Sequence, residues 1–387
     1  MLNKDRAIKV LSLDCLLIIA AFGVYPFLPI YYERCGVTLA QIGIVTATSA
    51  VVGVFAKSAW GSFSDSAGRR KPFIVLGCTV FASTMIAYTL ISSFETFLIL
   101  VVLSSLLAPD PLALLAASVF EMASPEVKAT MYARYRIWGT VGWIITTLFV
   151  GKLISAYGIK AAFYLAAMLF LFAILNSLRI VESKKHQTLT EGRSSVNLIK
   201  ELVKERRLLA FLLVLTLLCI TFSMTSVFLP LYLDFLGASP ELIGITFTAP
   251  AILEIPIMLY AGRLSDKVGR KPLIVLGSAV ASLRYFLYTT TLNPLMILPI
   301  HSLEALSYAP ADVASTTLIS DILSLKKQGI GQTLYAIGVW GVAGTIGPLV
   351  GGIISDMIGP HAMFYVASLL AIASTLLFMV AIKERNS

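Results

Sequence analysis

Charged side chains are scarce in this sequence of 387 residues: Asp, Glu, Lys and Arg make up 13%, whereas hydrophobic residues make up 58%. Soluble globular domains carry about 25% charged residues, so the composition excludes that class. Cysteine is also rare, and Cys15, Cys35, Cys78 and Cys219 stand singly without metal-ligand spacing. We expect them to be small buried side chains. The sequence also lacks a catalytic nucleophile arrangement, a metal cluster and a nucleotide-binding loop, so we expect no enzyme activity, no cofactor and no metal.

Long apolar runs are abundant, and a helix of about 20 apolar residues crosses the hydrocarbon core of a bilayer. Continuous apolar runs lack the period-two alternation of a membrane barrel, so we predict an all-α membrane protein. Twelve spans are predicted, near 8–32, 40–62, 72–92, 96–120, 137–156, 161–180, 208–234, 242–262, 272–291, 294–319, 331–355 and 361–382. The first segment contains Asp14 and lacks a cleavage site of small residues, so we interpret it as a permanent span.

The chain consists of two copies of one unit, related by an offset of 200 to 202 positions. The pattern Gly-x-x-x-Asp-x-x-Gly-Arg follows the second span of each copy. Its residues are Gly61, Asp65, Gly68 and Arg69 in the first copy and Gly262, Asp266, Gly269 and Arg270 in the second. We predict bundles of six helices at 1–182 and 208–387. Residues 183–207, the one long polar stretch, form the predicted linker, with an amphipathic helix as one alternative.

Positive charge is distributed unequally between the two sides of the predicted spans. Only Arg34, Lys152 and Lys160 lie in the loops opposite the termini, and Lys57 and Arg284 lie inside spans; every other Lys and Arg lies on the side of the termini. Because cytoplasmic loops hold the positive excess, both termini should face the cytoplasm of a cell membrane. This topology accounts for the net charge of +9, so no nucleic-acid partner is needed.

Twelve spans in two parallel halves, with the repeated loop on one face, resemble the major facilitator superfamily over the full length of the chain. The resemblance implies a monomer that moves a small solute by alternating access. In the loops, the glycines allow a close helix approach and a tight turn. The aspartates are placed to bond backbone donors or an Arg across the halves. We therefore expect the eight loop residues to act in gating.

The second copy contains ionisable side chains where the first copy has none. His301, Glu304, Tyr308 and Asp312 fall at i, i+3, i+7 and i+11 of the tenth span, on a stripe roughly 80° wide. Glu254 and Arg284 lie in the eighth and ninth spans. Charges within a bilayer face a cavity or pair with one another. One Arg pairs with at most two of the three acids, which leaves a carboxylate free to exchange a proton; a static ion-pair cluster is the alternative interpretation.

A further resemblance indicates to which branch of the superfamily the chain is similar. Arg284, His301, Glu304 and Glu254 are similar to the proton-coupling residues of lactose permease and related sugar and nucleoside proton symporters. In the fifth span, Arg134-x-Arg136-x-Trp138-Gly139-x-x-Gly142-Trp143 is similar to another motif of that branch. The resemblance implies that Arg136 bonds a solute hydroxyl and that Trp143 stacks on the solute. Tyr308, in the polar stripe, is a further candidate for solute binding.

Two other intramembrane acids have two interpretations each. Asp110 lies between Pro109 and Pro111, where the prolines break the fourth span and free carbonyls. It either replaces the substrate-binding Glu that the resemblance implies and this chain lacks, or it bonds the amides of the break. Asp14 in the first span either pairs with Lys57 or faces a cavity beside it, and is a further proton-coupling candidate.

The predicted function is therefore transport of a small polar solute (a sugar, nucleoside or organic acid) together with protons. A proton antiporter that exports lipophilic drugs is the first alternative. Antiporters of this superfamily typically carry Gly-Pro in the fifth span, whereas here Gly347-Pro348 lies in the eleventh. A membrane sensor without transport activity is a remote alternative.

Overall fold

The computed structural model describes residues 2–122, 128–180, 205–323, 331 and 334–381, and the elements in these ranges are helices. The first half contains α1 (Leu2–Phe22), a 3₁₀ turn (Tyr25–Phe27), α2 (Leu28–Arg34), α3 (Leu39–Ala67), α4 (Lys71–Tyr88), α5 (Phe94–Leu107), α6 (Pro111–Met122), α7 (Lys128–Tyr157) and α8 (Lys160–Ser177). The second half contains α9 (Arg206–Phe235), α10 (Pro240–Val268), α11 (Arg270–Thr289), α12 (Pro294–Ser302), α13 (Glu304–Ile322), a π-helix (Leu334–Gly341), α14 (Val342–Ile358) and α15 (Pro360–Ala381). The amphipathic helix proposed for the linker lies outside the described residues, apart from the last three positions.

Eleven stretches of the described residues are long and apolar enough to cross a membrane. The predicted tenth span is divided into α12 and α13, which meet at Leu303. The Leu303 amide donates to the Ile300 carbonyl at 3.2 Å, a bond to the third residue back that tightens the helix at this point. With α12 and α13 taken as one crossing, the helices match the twelve predicted spans.

The predicted break in the fourth span is confirmed. Helix α5 ends at Leu107, Ala108 is extended, and α6 begins at Pro111. Pro109 and Pro111 donate no amide proton, and a residue that precedes a proline disfavours the helical conformation. The break therefore follows directly from the local sequence.

The helices fall into two compact units. The first comprises Met1–Val37, Val52–Leu189 and Ser239–Thr248, and the second comprises Thr38–Val51, Thr190–Ala238 and Ala249–Ser387. In the first unit α1 packs against α7 and α8, and α4 packs against α8 and α6. In the second, α9 packs against α14 and α15, and α11 packs against α15 and α13. The four helix pairs of one unit thus recur in the other, as the duplication predicts.

Two glycines at duplicated positions allow close helix packing. A Cβ at Gly77 would collide with the carbonyl oxygen of Pro109, and one at Gly277 would collide with the carbonyl oxygen of Ser307. Backbone atoms cannot move aside as a flexible side chain can. Glycine at these positions therefore sets the separation between α4 and the broken fourth span, and between α11 and α13.

We expect Gly77→Ala to destabilise the protein by about 1–3 kcal/mol, because an added methyl group overpacks a close contact. Thermal unfolding of the purified protein in detergent measures this as a lower melting temperature. Gly53→Ala is the matched control, since a Cβ at Gly53 meets no atom within 4 Å. That control should not destabilise, because Ala favours the helix by up to about 1 kcal/mol. An equal loss in both variants would contradict the packing role of Gly77.

Candidate functional site

The second unit buries a cluster of charged side chains. Arg284 of α11 is 0% exposed. Its Nη1 lies 3.3 Å from Oε2 of Glu304, in the first turn of α13. The same carboxylate oxygen lies 3.0 Å from Nε2 of His301, in the last turn of α12. The Glu304 side chain is 31% exposed, so this carboxylate connects two buried nitrogen groups to open space.

The hydrogen bonds of His301 indicate how its ring is oriented. Its Nδ1 lies 2.8 Å from the Tyr288 hydroxyl and 3.4 Å from Nη1 of Arg284. A guanidinium only donates, so Nδ1 serves as an acceptor and carries no proton. The remaining ring proton then lies on Nε2, on the side of Glu304. This arrangement suits a neutral imidazole whose Nε2 lies in close contact with the carboxylate, at 3.0 Å.

Aromatic rings enclose the guanidinium of Arg284. Its Cζ lies 4.9 Å from the ring centre of Tyr285 and 5.7 Å from that of Phe222. Its Nη2 donates to the Tyr285 hydroxyl at 3.3 Å, whereas its Nε has no hydrogen-bond partner among the described residues. The rings and the Glu304 carboxylate hold the cation in a region from which water is excluded.

Asp312 belongs to a separate contact group on the same helix. Its Oδ1 accepts a hydrogen bond of 2.6 Å from the hydroxyl of Tyr335, in the π-helix. Tyr308, one turn before Asp312, packs its ring against Phe222 at 5.8 Å and Trp340 at 6.2 Å. The predicted polar stripe is therefore divided: Glu304 and His301 pair with Arg284, whereas Asp312 bonds a tyrosine.

Glu254 of α10 is half-buried and lies close enough to Tyr308 to interact with it electrostatically. Of the three carboxylates considered as partners for Arg284, the structure places Glu304 in an ion pair with it. The acids thus occupy different surroundings along α10 and α13.

The two solute-binding candidates of α7 lie in the first unit. Arg136 is exposed. The indole Nε1 of Trp143 lies 3.5 Å from the carbonyl oxygen of Phe247, a long hydrogen bond. One turn further on, the hydroxyls of Thr147 and Thr248 lie 2.7 Å apart. Trp143 is therefore anchored weakly through its polar edge to the start of α10.

Asp110 makes the contacts expected of an acid that bonds the backbone amides of a helix break, the second of its two interpretations. Its Oδ1 accepts from the amides of Leu112 at 3.1 Å and Ala113 at 3.2 Å. Its Oδ2 lies 3.1 Å from Nζ of Lys57, a pair that was not predicted. The carboxylate thus caps the helix that follows the break and also forms an ion pair with Lys57.

Both expectations for Asp14 and Lys57 are wrong. Asp14 is 0% exposed, so it does not face a cavity. It accepts hydrogen bonds from Nδ2 of Asn176 at 2.8 Å and Oγ of Ser177 at 3.0 Å. The reason is that α1 packs against α8, which brings these two side chains to Asp14. Lys57 pairs with Asp110 instead.

The repeated loops form two equivalent ion-pair groups. In the first copy, Arg70 pairs with Asp65 at 3.3 Å and also with Glu121. In the second, Arg270 pairs with Asp266 at 2.7 Å and with Asp321 at 3.1 Å. The arginine that the structure places beside Asp65 is Arg70, which belongs to the same unit. Arg70 and Arg270 are 200 positions apart, whereas Asp65 and Asp266 are 201 apart, so two offsets of the duplication occur within this loop.

The glycines of these loops have two different environments. Gly68 and Gly269 have φ values of 63° and 92°, which only glycine adopts readily, so the predicted turns are confirmed. A Cβ added at Gly61 or at Gly262 would meet no atom within 4 Å. The close helix approach predicted at Gly61 is therefore wrong.

Sequence reasoning missed the tyrosines Tyr285, Tyr288 and Tyr335 and the acids Glu121 and Asp321. The acids carried a usable signal, because they are separated by the repeat offset and both follow the broken spans. Tyr285 and Tyr288 lie one and four positions after Arg284, which places Tyr288 on its helical face. Tyr335 carried no such signal, since its role depends on the π-helix.

Comparisons with known proteins agree with this architecture. The model of a protein family, described as "MFS_1 like family", matches residues 10–366 of this chain. The multi-drug resistance efflux pump PmrA of Streptococcus pneumoniae is 27% identical over 92% of this chain and 91% of its own length. The multidrug resistance protein MdtG of Salmonella schwarzengrund is 26% identical over 95% and 93%. A crystal structure of the nucleoside transporter NupG superposes with a TM-score of 0.84 at 17% identity, over 98% of this chain and 100% of that one. With its multi-pass helical fold and this family match, the chain belongs to the MFS_1-like family and is a transporter of the major facilitator superfamily.

Proposed function

We propose that this transporter moves a small polar solute together with protons, by alternating access, and that Glu304 is the group that exchanges the proton. The observation that carries the proposal is the position of Glu304. It is the partly exposed member of a cluster whose other members, Arg284 and His301, are buried. A proton can therefore reach the carboxylate from open space.

Protonation of Glu304 would change the cluster in a defined way. The neutral acid no longer balances the guanidinium of Arg284, which lies 3.3 Å away. Arg284 then retains Tyr285 and the two rings but lacks a counter-ion, which is costly for a buried charge. A solute that offers a hydrogen-bond acceptor beside Glu304, the partly exposed member of the cluster, would offset that cost. Solute and proton would then favour each other's binding, as symport requires.

We also propose roles for residues outside the charged cluster. Arg136 and Trp143 in the first unit, and Tyr308 in the second, are each proposed to bind solute. Asp312, Glu254 and Asp14 are secondary proton sites, and the two loop ion-pair groups act in gating. The chain would work as a monomer in the cell membrane with both termini in the cytoplasm, as the distribution of Lys and Arg favours.

Proton-coupled export of lipophilic compounds is the second candidate. The names of PmrA and MdtG favour it. So does a small cavity in the second unit, because its lining is largely apolar and aromatic and includes Phe222, Tyr308, Tyr335 and Trp340. The charged cluster is compatible with either direction of coupling, and a transport measurement distinguishes the two.

In proteoliposomes with an imposed pH gradient, we expect solute entry to be accompanied by proton entry. The panel should contain a sugar, a nucleoside, an organic acid and a lipophilic cation, with internal pH followed by a trapped dye. Protein-free liposomes and collapse of the gradient by an ionophore are the controls. Proton movement opposite to the solute would select the export candidate. The absence of proton movement with a solute that is transported would refute coupling altogether.

A further inference from the structure

Lys57 is an exposed cation within a membrane-spanning helix. It lies ten residues before the end of α3, and its side chain is 63% exposed. Its partner Asp110 is 26% exposed, and Nζ and Oδ2 are 3.1 Å apart. Charged groups within membrane spans face water-filled space or pair with one another, and Lys57 is both exposed and paired. The pair therefore lies where a dissolved solute can reach it.

The broken fourth span does not need Lys57 for its hydrogen bonds. The amides of Leu112 and Ala113 are bonded by Oδ1 of Asp110. The carbonyl of Leu106, before the break, accepts a hydrogen bond of 2.8 Å from the indole Nε1 of Trp60. Lys57 is bound to this structure through one carboxylate oxygen, although an ammonium has three donors. Lys57 can therefore leave Asp110 for another anion while the backbone groups at the helix break keep their hydrogen bonds.

The charge balance of the first unit favours an anion as the new partner. Lys57 is exposed in α3, and Arg134, Arg136 and Lys152 are exposed cations of α7. Asp110 is the acid beside Lys57 and is already bonded by two amides, whereas Asp14 is buried among neutral donors. The duplicate of Lys57 is Met258 and that of Asp110 is Ala311. The pair belongs to one copy and is not a requirement of the repeated scaffold.

We propose that Lys57 binds the carboxylate or phosphate group of the transported solute, and that Asp110 holds the ammonium group until the solute takes its place. This assignment rests on the proposed function and narrows its solute to a small organic or inorganic anion. Lys57 is then a specificity-determining residue, and Asp110 is its internal competitor. The two residues should respond to substitution in opposite directions.

The test measures anion binding by thermal unfolding of the purified full-length protein in lipid-free detergent, followed by tryptophan fluorescence. The probes are lactate, succinate and inorganic phosphate, each against sodium chloride of equal ionic strength. Uridine serves as a neutral probe and β-alanine as a zwitterion. We expect an anionic probe to raise the melting temperature of the unmodified protein. Lys57→Gln should abolish the response, and Lys57→Arg should keep it.

Asp110→Asn separates this proposal from a merely structural ion pair. Removal of the competing carboxylate should strengthen anion binding, by roughly fivefold for an exposed pair. Lys152→Gln, which removes an exposed cation elsewhere, should leave binding unchanged. Lack of response to all three anions, a response that survives Lys57→Gln, or weaker binding in Asp110→Asn would each overturn the proposal. A sample with added phosphatidylglycerol is measured as well, and a response that only this lipid elicits would also overturn the proposal, because the ligand would then be a lipid headgroup. No proton gradient is present, so these failures leave the role of Glu304 untouched.

Discussion

Glu304→Gln should abolish uphill accumulation of solute while leaving exchange of solute across the membrane intact. Glutamine keeps the shape of the side chain and can bond Arg284 through its carbonyl oxygen, but it cannot take up a proton. With one proton per solute, a gradient of one pH unit supports about tenfold accumulation. In the variant the ratio should fall to about one, because only downhill movement is left.

The measurement needs two assays on the same proteoliposomes. Accumulation is followed with an imposed pH gradient, and exchange is followed without one by loading labelled solute and adding unlabelled solute outside. Glu95→Gln is the matched control, since Glu95 is an acid in the first turn of α5. It should accumulate solute like the unmodified protein. Accumulation by Glu304→Gln would remove Glu304 as the coupling site, and loss of exchange would indicate a binding or folding defect.

The fold was predictable because its causes are local or repeated. Hydropathy locates helices that must satisfy their own backbone hydrogen bonds in lipid. The offset between Asp65 and Asp266 reveals the duplication, and Pro109 and Pro111 locate the break. None of these features depends on which helix lies beside which.

The contacts of the site depended on helix neighbours, and there prediction was partial. The cluster of Arg284, His301 and Glu304 was predictable, since ionisable side chains inside a bilayer are costly to desolvate and therefore pair with one another. The partners of Asp14 were not, because hydropathy does not show that α1 packs against Asn176 and Ser177. Of two adjacent arginines, Arg70 faces Glu121, and the sequence does not reveal the rotation of a loop that decides this. Partial charge neutralisation can be foreseen from composition, but the choice of partner requires the packed structure.

Arg284→Met should destabilise the protein by about 1–3 kcal/mol, less than the cost of breaking a fully buried ion pair, because the Glu304 side chain that loses its partner is 31% exposed. Methionine fills much of the space between Phe222 and Tyr285, so packing is largely kept. The loss arises because Glu304 retains a charge and its partner is gone, with Nε2 of His301 as the other nitrogen of the cluster beside it. The melting temperature in detergent and the yield of monodisperse protein should both fall.

The double variant Arg284→Met with Glu304→Gln is the decisive control. If the cost comes from an unpaired carboxylate, neutralising that carboxylate should restore most of the lost stability, since a buried ion pair contributes little beyond its neutral replacement. The four proteins of this double-mutant cycle report the coupling energy between the two side chains. If the double variant is as unstable as Arg284→Met alone, the guanidinium stabilises the protein through its contacts with Phe222 and Tyr285. Its pairing with Glu304 would then contribute little to stability.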